Sequence, residues 1–219
     1  EVALRDDTYH LRLLGVDEAG RGPVAGPVVA AAVAFAPGER VPGVTDSKAL
    51  SAKRRASLEI EIRARALGVG VASVSAACID RVNIREATKL AMRVAIHNCL
   101  HSIQDGGEPI ESPDAEDAGT TAQARPPSLP DLIIVDGDFV PLAGTGIPEQ
   151  CFVKGDARAF HIAAASIIAK EWRDRLMKRL ALRFPGYGFE VHKGYLTKVH
   201  AKALGELGPS PAHRRSFRF

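Results

Sequence analysis

The stretch LLGVDEAGRGPVAGP, residues 13–27, ends an apolar run in two adjacent carboxylates, Asp17 and Glu18, and follows them with Gly20, Arg21 and Gly22. Read as a strand that breaks into a turn, it sets negative charge beside an arginine and a bare backbone at one edge of a sheet. The surrounding sequence supports the strand. LRLLGV (11–16) and GPVVAAAVAFA (26–36) are apolar runs bounded by Gly and Pro, and GVGVASVSA (68–76) alternates with period two, so three strands are expected in succession. Between the second and third, Asp46 or Ser47 can cap a helix carrying Leu50, Leu58, Ile60 and Ile62. Further helices are expected over 83–102, over 157–184 until Pro185 and Gly186 stop it, and over 196–207. DLIIVDGD (131–138) and QCFVKGD (150–156) read as short strands ending in acidic turns. Strands and helices in this order describe an α/β protein.

The 219 residues are enough for a full core and suggest one domain, 1–219. Residues 103–130 depart from the pattern: rich in Pro, Gly and acid, they offer little apolar surface to offset ordering entropy and are expected to form a mobile insertion loop. The net charge of +3 permits a nucleic-acid partner without demanding one. Its distribution is more telling. From residue 190 onward six Lys and Arg face only Glu190 and Glu206, with His192, His200 and His213 in addition. Cys78, Cys99 and Cys151 lack both even number and C-x-x-C spacing, which argues against a disulfide framework or zinc site and for a reducing, cytoplasmic setting. No apolar run is long enough to span a bilayer, so no membrane partner is expected.

Four carboxylates share one context: Asp17 and Glu18 after LLGV, Asp136 after LIIV, and Asp156 after CFVKG. Ends of neighbouring strands in an open α/β sheet converge on one edge, so these acids can form a single cluster. Clustered carboxylates repel and call for a cation. All-oxygen ligation suits Mg²⁺ or Mn²⁺ rather than zinc, and two such ions about 4 Å apart are a recurrent device for displacement at phosphorus. The competing structural readings are turn formers and helix caps, with Asp156 well placed for the latter. Adjacent strand residues point to opposite faces, so Glu18 is the member whose participation needs the strand to end beside it.

GRGPVAG has the spacing G-x-G-x-x-x-G and leads into an extended run, which excludes a dinucleotide-binding turn. Gly20 and Gly22 instead permit close backbone approach to a ligand, and Arg21 supplies a fork for phosphate. YGFEVHKGYLTKVH (187–200) interleaves Tyr187, Phe189 and Tyr195 with Lys193 and Lys198; Phe189 reads as core, and Tyr195 as a ring available for stacking on a sugar or base. His161 reads as a helix-surface residue.

GVDEAGRGPVAGPVVAAAV, DSKAL, VDGD, KGDARAFHIAAASIIAKEWRD and YGFEVHKGY followed by HRRSF together resemble bacterial ribonuclease HII, a type 2 ribonuclease H, in five co-linear segments spanning nearly the whole chain. The resemblance implies a ribonuclease H-like central mixed sheet flanked by helices, with a small C-terminal helical part from about residue 185 that binds substrate. It implies Mg²⁺- or Mn²⁺-dependent endonucleolytic hydrolysis of RNA in RNA/DNA hybrids. It further implies incision on the 5′ side of single ribonucleotides embedded in duplex DNA, leaving 3′-hydroxyl and 5′-phosphate ends, in ribonucleotide excision repair and DNA replication. Catalytic and metal-holding carboxylates would be Asp17, Glu18, Asp136 and Asp156, and the substrate-binding residues Gly20, Arg21, Gly22, Ser47, Lys48 and Tyr195. A monomer is expected, and a sliding-clamp partner is left open. Two departures stand out: the long 103–130 segment, and Asp138 where many relatives carry Asn. Two other readings compete: a nucleic-acid-binding protein that has lost catalysis, and a transposase- or resolvase-like nuclease cutting DNA alone.

Overall fold

In the computed structural model, which describes residues 11–106, the backbone of 110–112 and residues 129–218, six strands form one mixed sheet. They are β1 (Leu13–Ala19), β2 (Val28–Ala34), β3 (Gly68–Val74), β4 (Ile110–Ser112), β5 (Leu132–Asp136) and β6 (Glu149–Phe152), ordered β4-β3-β2-β1-β5-β6. β1 and β2 pair antiparallel, as do β2 and β3, whereas β1 to β5, β5 to β6 and β3 to β4 are parallel. The parallel β1-β5-β6 run brings the carboxyl ends of those strands to one edge, where the acids follow.

The helices are α1 (Ala52–Arg65), α2 (Ala76–Val82), α3 (Ile84–Gln104), α4 (Phe160–Arg183), α5 (Phe189–His192) and α6 (Lys198–Leu207). β1 to β3 are apolar on both faces because both are covered. Leu14, Val16, Ala30, Ala32 and Ala72 pack with α3 residues such as Met92 and Cys99, whereas Val29, Ala31 and Val33 pack with Leu58 and Ile62 of α1 and Ile168 of α4. Small residues set these distances. A β-carbon on Gly15 would lie 2.2 Å from the His161 carbonyl carbon, so α4 crosses β1 at backbone contact. Ser51, Ser75, Asn83 and Thr197 accept backbone N–H bonds at the starts of α1, α2, α3 and α6.

Several local expectations change. Asp46 caps only a 3₁₀ turn, Ser47–Ala49, and Ser51 starts α1; Ile60 is 71% exposed while Leu58 and Ile62 carry the buried stripe. His161 is buried rather than surface-exposed, edge-on to Phe35 and Phe160, because the helix face opposite Gly15 is pressed onto the sheet. The segment expected to be a mobile loop is not wholly irregular: residues 103 and 104 finish α3, and 110–112 pair with β3 as the sheet edge. Its remainder at 107–109 and 113–128 lies outside the described residues. Among the described residues, no helix is long and apolar enough to cross a membrane.

Gly15→Ala tests the sheet-helix contact directly. The added methyl has only backbone to displace, so the variant should lose about 1–3 kcal/mol in denaturant unfolding. An unchanged midpoint would contradict the backbone contact between α4 and β1.

Candidate active site

Val16 lies opposite Val135 in the parallel β1-β5 register, so the next residues, Asp17 and Asp136, stand side by side at the sheet edge. Asp156 joins them from a 3₁₀ turn, Gly155–Ala157, that follows β6. A carboxylate oxygen from each of Asp17, Asp136 and Asp156 lies within 4.8 Å of the other two. The helix-cap alternative for Asp156 fails, since α4 begins at Phe160 and its N-cap position, Ala159, has no side-chain cap.

Local hydrogen bonds aim this trio. The Gly155 N–H donates to Asp136 Oδ1 at 2.6 Å, the Glu18 N–H to Asp17 Oδ1 at 2.7 Å, and Lys48 Nζ to Asp156 Oδ2 at 3.5 Å. Ser166 of α4 hydrogen-bonds Asp17, and its hydroxyl also lies 2.8 Å from that of Ser47. Burial, then the charges of Glu18 and Asp136, raise the Asp17 carboxyl well above the usual range. Burial likewise raises Asp136 against the opposing Gly155 N–H, and raises Glu18 against the opposing Arg21. Partial burial works against the Lys48 ammonium, yet Asp156 and Asp46 hold its pKa above the ordinary value.

Glu18 is placed apart. β1 continues through Ala19, so alternation turns Glu18 to the α3 side, where its carboxylate meets Arg21 Nη1 at 3.4 Å. Arg21 in turn lies 5.7 Å over the ring of Phe139. Asp138 is exposed and outside the trio. All six residues singled out for substrate, Gly20, Arg21, Gly22, Ser47, Lys48 and Tyr195, line one cleft of about 380 Å³, which Glu18 also lines.

The turn forming one wall is held from below by two buried arginines that the sequence reading passed over. Arg214, fully buried, donates from Nη2 to the Gly20 carbonyl at 2.6 Å, from Nη1 to that of Arg21 at 2.9 Å and from Nε to that of Gly26 at 2.9 Å. Arg173, 2% exposed, binds the Pro27, Lys193 and Ala25 carbonyls. Burial pushes their pKa values down to about 9 and about 10, leaving both charged at neutral pH. Gly20 adopts φ +95°, and a β-carbon there would fall 2.0 Å from Arg173 Nε, so glycine is required on both counts. Tyr195 crosses above the turn, 51% exposed, with its ring 3.6 Å from where a Gly22 β-carbon would be. A lone serine in the apolar run IAAASIIA was the available signal for Ser166; no local pattern marks Arg214.

Three oxygen-donor groups whose charging is opposed by burial and mutual repulsion fit a divalent cation of the Mg²⁺ or Mn²⁺ kind, and lack the nitrogen or sulfur ligands characteristic of zinc.

The ribonuclease HII family profile matches residues 14–219. Ribonuclease HII of Ruegeria pomeroyi is 45% identical over 209 residues, which cover 95% of this chain and 77% of the relative. Among solved structures, the PCNA:RNase HII complex from Archaeoglobus fulgidus contains a chain that matches at 27% identity with TM-score 0.71, over 95% of this chain and 96% of that one. Ribonuclease H2 from Pyrococcus horikoshii matches at 25% identity with TM-score 0.71, over 94% of each chain.

A raised carboxyl pKa in the fold means a contribution that is fully favourable below the ordinary value near pH 4 and lost as pH rises. Asp17→Asn should therefore melt higher than the parent at neutral pH without divalent ions, by about 1–2 kcal/mol or roughly 2–8 °C, and gain nothing near pH 4. Added Mg²⁺ should narrow the gap by stabilising the parent. Thermal melts at the two pH values check the sign; a variant that melts lower at neutral pH would contradict the strained cluster.

Proposed function

The chain belongs to the ribonuclease HII family, an endoribonuclease family, and on that premise we propose that it incises duplex DNA on the 5′ side of a single embedded ribonucleotide, leaving 3′-hydroxyl and 5′-phosphate ends. Hydrolysis of RNA within RNA/DNA hybrids is the broader activity that the family supports. The carrying observation is a juxtaposition: the carboxylate trio adjoins a cleft whose far wall is an exposed glycine-flanked backbone.

Asp17, Asp136 and Asp156 would hold the catalytic Mg²⁺ or Mn²⁺, and Glu18 would have to leave both Arg21 and the α3 side of β1 to join them. When bound, such cations supply Lewis acidity toward the phosphodiester and balance the charge that develops on it. Lys48, already drawn in by Asp156, would offer its ammonium to a phosphate oxygen, and Arg21 would do so from the other wall. The backbone of Gly20, Arg21 and Gly22 would hydrogen-bond the 2′-hydroxyl that separates ribose from deoxyribose; a wall shaped for that group rejects its absence by leaving polar groups unpaired. Tyr195, exposed beside Gly22, would stack on the sugar next to the cut.

This reading takes residues 1–219 as one catalytic domain in which the part from about 185 onward contributes substrate binding. Its support is the packing of Tyr187, Phe189, Ala203 and Ala212 on Met177 of α4 and Ala25 of the turn. A monomer suffices, since one chain supplies every residue invoked. A clamp-associated setting, in replication or ribonucleotide repair, is supported only by the complex in which the Archaeoglobus chain occurs.

A labelled duplex with one ribonucleotide, assayed with and without Mg²⁺ beside an all-DNA control, tests the reading. One metal-dependent nick 5′ of the ribonucleotide is expected, with the all-DNA duplex uncut; cutting of both would favour a general DNA nuclease. Asp136→Asn should abolish cleavage while leaving duplex binding and fold in place. Tyr195→Ala should lose about ten- to a hundredfold on the single ribonucleotide, and much less on a continuous hybrid that offers many registers. Equal losses on both substrates would contradict its role at the junction.

A further inference from the structure

Three histidines of the C-terminal part form a stacked, hydrogen-bonded group that the proposed reaction does not use. The His213 and His200 Nε2 atoms lie 3.0 Å apart, and both side chains are buried. At one end, the Ser210 N–H lies 2.9 Å from His213 Nδ1; at the other, His200 Nδ1 lies 2.9 Å from the Tyr195 carbonyl oxygen. A backbone N–H can only donate and a carbonyl can only accept, so the two ends fix the direction of everything between them. His213 accepts at Nδ1 and carries its proton on Nε2. That proton is donated to His200 Nε2, and His200 carries its own on Nδ1, facing Tyr195.

We propose that Ser210, His213 and His200 form a one-way hydrogen-bond chain, complete only when both imidazoles are neutral, that positions Tyr195 over the Gly20–Gly22 turn. This rests on the reading of Tyr195 as a recognition residue. The chain ends on Tyr195 itself, and the segment carrying it is stitched to the turn: Val24 N–H donates to the Gly194 carbonyl at 3.0 Å, and Arg214 N–H to that of Val24 at 2.9 Å. His200 and His213 are therefore positioning residues, acting through the backbone of Tyr195.

An added proton breaks this arrangement. On His200 it would set two N–H groups against each other between the rings; on His213 it would displace the Ser210 N–H, and bonding to the Ser210 hydroxyl, 2.9 Å away, would leave that amide unpaired. The surroundings also disfavour it. His192 stacks on His200 at 4.2 Å, with its Nε2 2.7 Å from the Tyr187 carbonyl and its Nδ1 accepting from Gly194. The Tyr187 ring lies 5.0 Å from that of His213, and Phe189 meets His200 edge-on. Charged neighbours are Arg173 of α4, bound to the Lys193 carbonyl, then Arg214, Lys193 and Glu190, with Asp80 of α2 accepting the Arg215 and Ser216 N–H groups. Burial lowers His200, and burial with His200 beside it pushes His213 down to about 4. A depressed folded pKa gives stability that is complete above the ordinary histidine value near 6.5 and lost as pH falls toward 4.

Two measurements on the full chain decide the proposal. Nitrogen-15 NMR of the histidine rings, free of substrate, should show His213 as the Nε2–H and His200 as the Nδ1–H tautomer, both neutral at pH 7. Reversed tautomers, or an imidazolium at either position near pH 7, would overturn the chain. In nicking assays at neutral pH on the single-ribonucleotide duplex, His200→Phe should lower kcat/KM about tenfold, with His200→Asn restoring most of it because its amide can still donate to the Tyr195 carbonyl. In a Tyr195→Ala background, His200→Phe should add almost nothing. A full additive loss there would assign His200 a purely structural role and overturn positioning. Parental turnover by Tyr195→Ala alone would overturn the recognition reading and positioning with it, while the ring tautomers would still report the chain's direction.

Discussion

Arg214 sits fully buried near the C-terminus and spends its guanidinium on the carbonyls of Gly20, Arg21 and Gly26, near the other end of the sequence. A charge can be buried at tolerable cost only when hydrogen bonds replace water on every side, and a planar fork of five N–H groups suits a turn whose carbonyls point inward. Arg173 does the same for Ala25, Pro27 and Lys193. Together they tie the connection between β1 and β2 to α4 and to the C-terminal segment. Inward carbonyls leave the opposite surface of the Gly20–Gly22 backbone facing the cleft, so the wall proposed to read ribose follows from how its underside is satisfied.

The carboxylate edge obeys the opposite logic. Asp17 and Asp136 are neighbours through strand register, and burial raises both, so the folded chain holds them against their own preference. Gly155, Ser166 and Lys48 soften that cost without removing it. A site that is unfavourable until a cation arrives trades stability for function. Beneath the cluster, Gly15 lets α4 lie directly on β1.

Much of this was legible locally. Apolar runs ending in acid located the three strand ends, and two-residue alternation marked Glu18 as the carboxylate whose place beside Asp17 depends on where β1 ends; β1 runs on to Ala19 and Glu18 meets Arg21. What stayed hidden depends on partners distant in sequence. Arg214 reads as one of several basic residues near the terminus until its three carbonyls are seen, and Ser166 as an interruption in an alanine-rich helix until Asp17 lies beneath it. His161 was misplaced because helical position alone does not reveal that a glycine on the sheet draws that face inward. The strand at 110–112 escaped notice because pairing with β3 uses backbone groups that composition does not encode.

Buried guanidinium-to-carbonyl bonds would thus shape the wall proposed to read ribose, independently of the carboxylates. Arg214→Lys keeps the charge but replaces a three-armed fork by a single ammonium. The direct measurement is kcat/KM on a duplex with one ribonucleotide, variant relative to parent, taken where circular dichroism shows the variant folded, with Mn²⁺ binding titrated in parallel. The expected result is a fall of at least about tenfold while Mn²⁺ affinity is preserved. An unchanged kcat/KM in a folded variant, or loss of Mn²⁺ binding with kcat/KM intact, would contradict a wall shaped by these bonds.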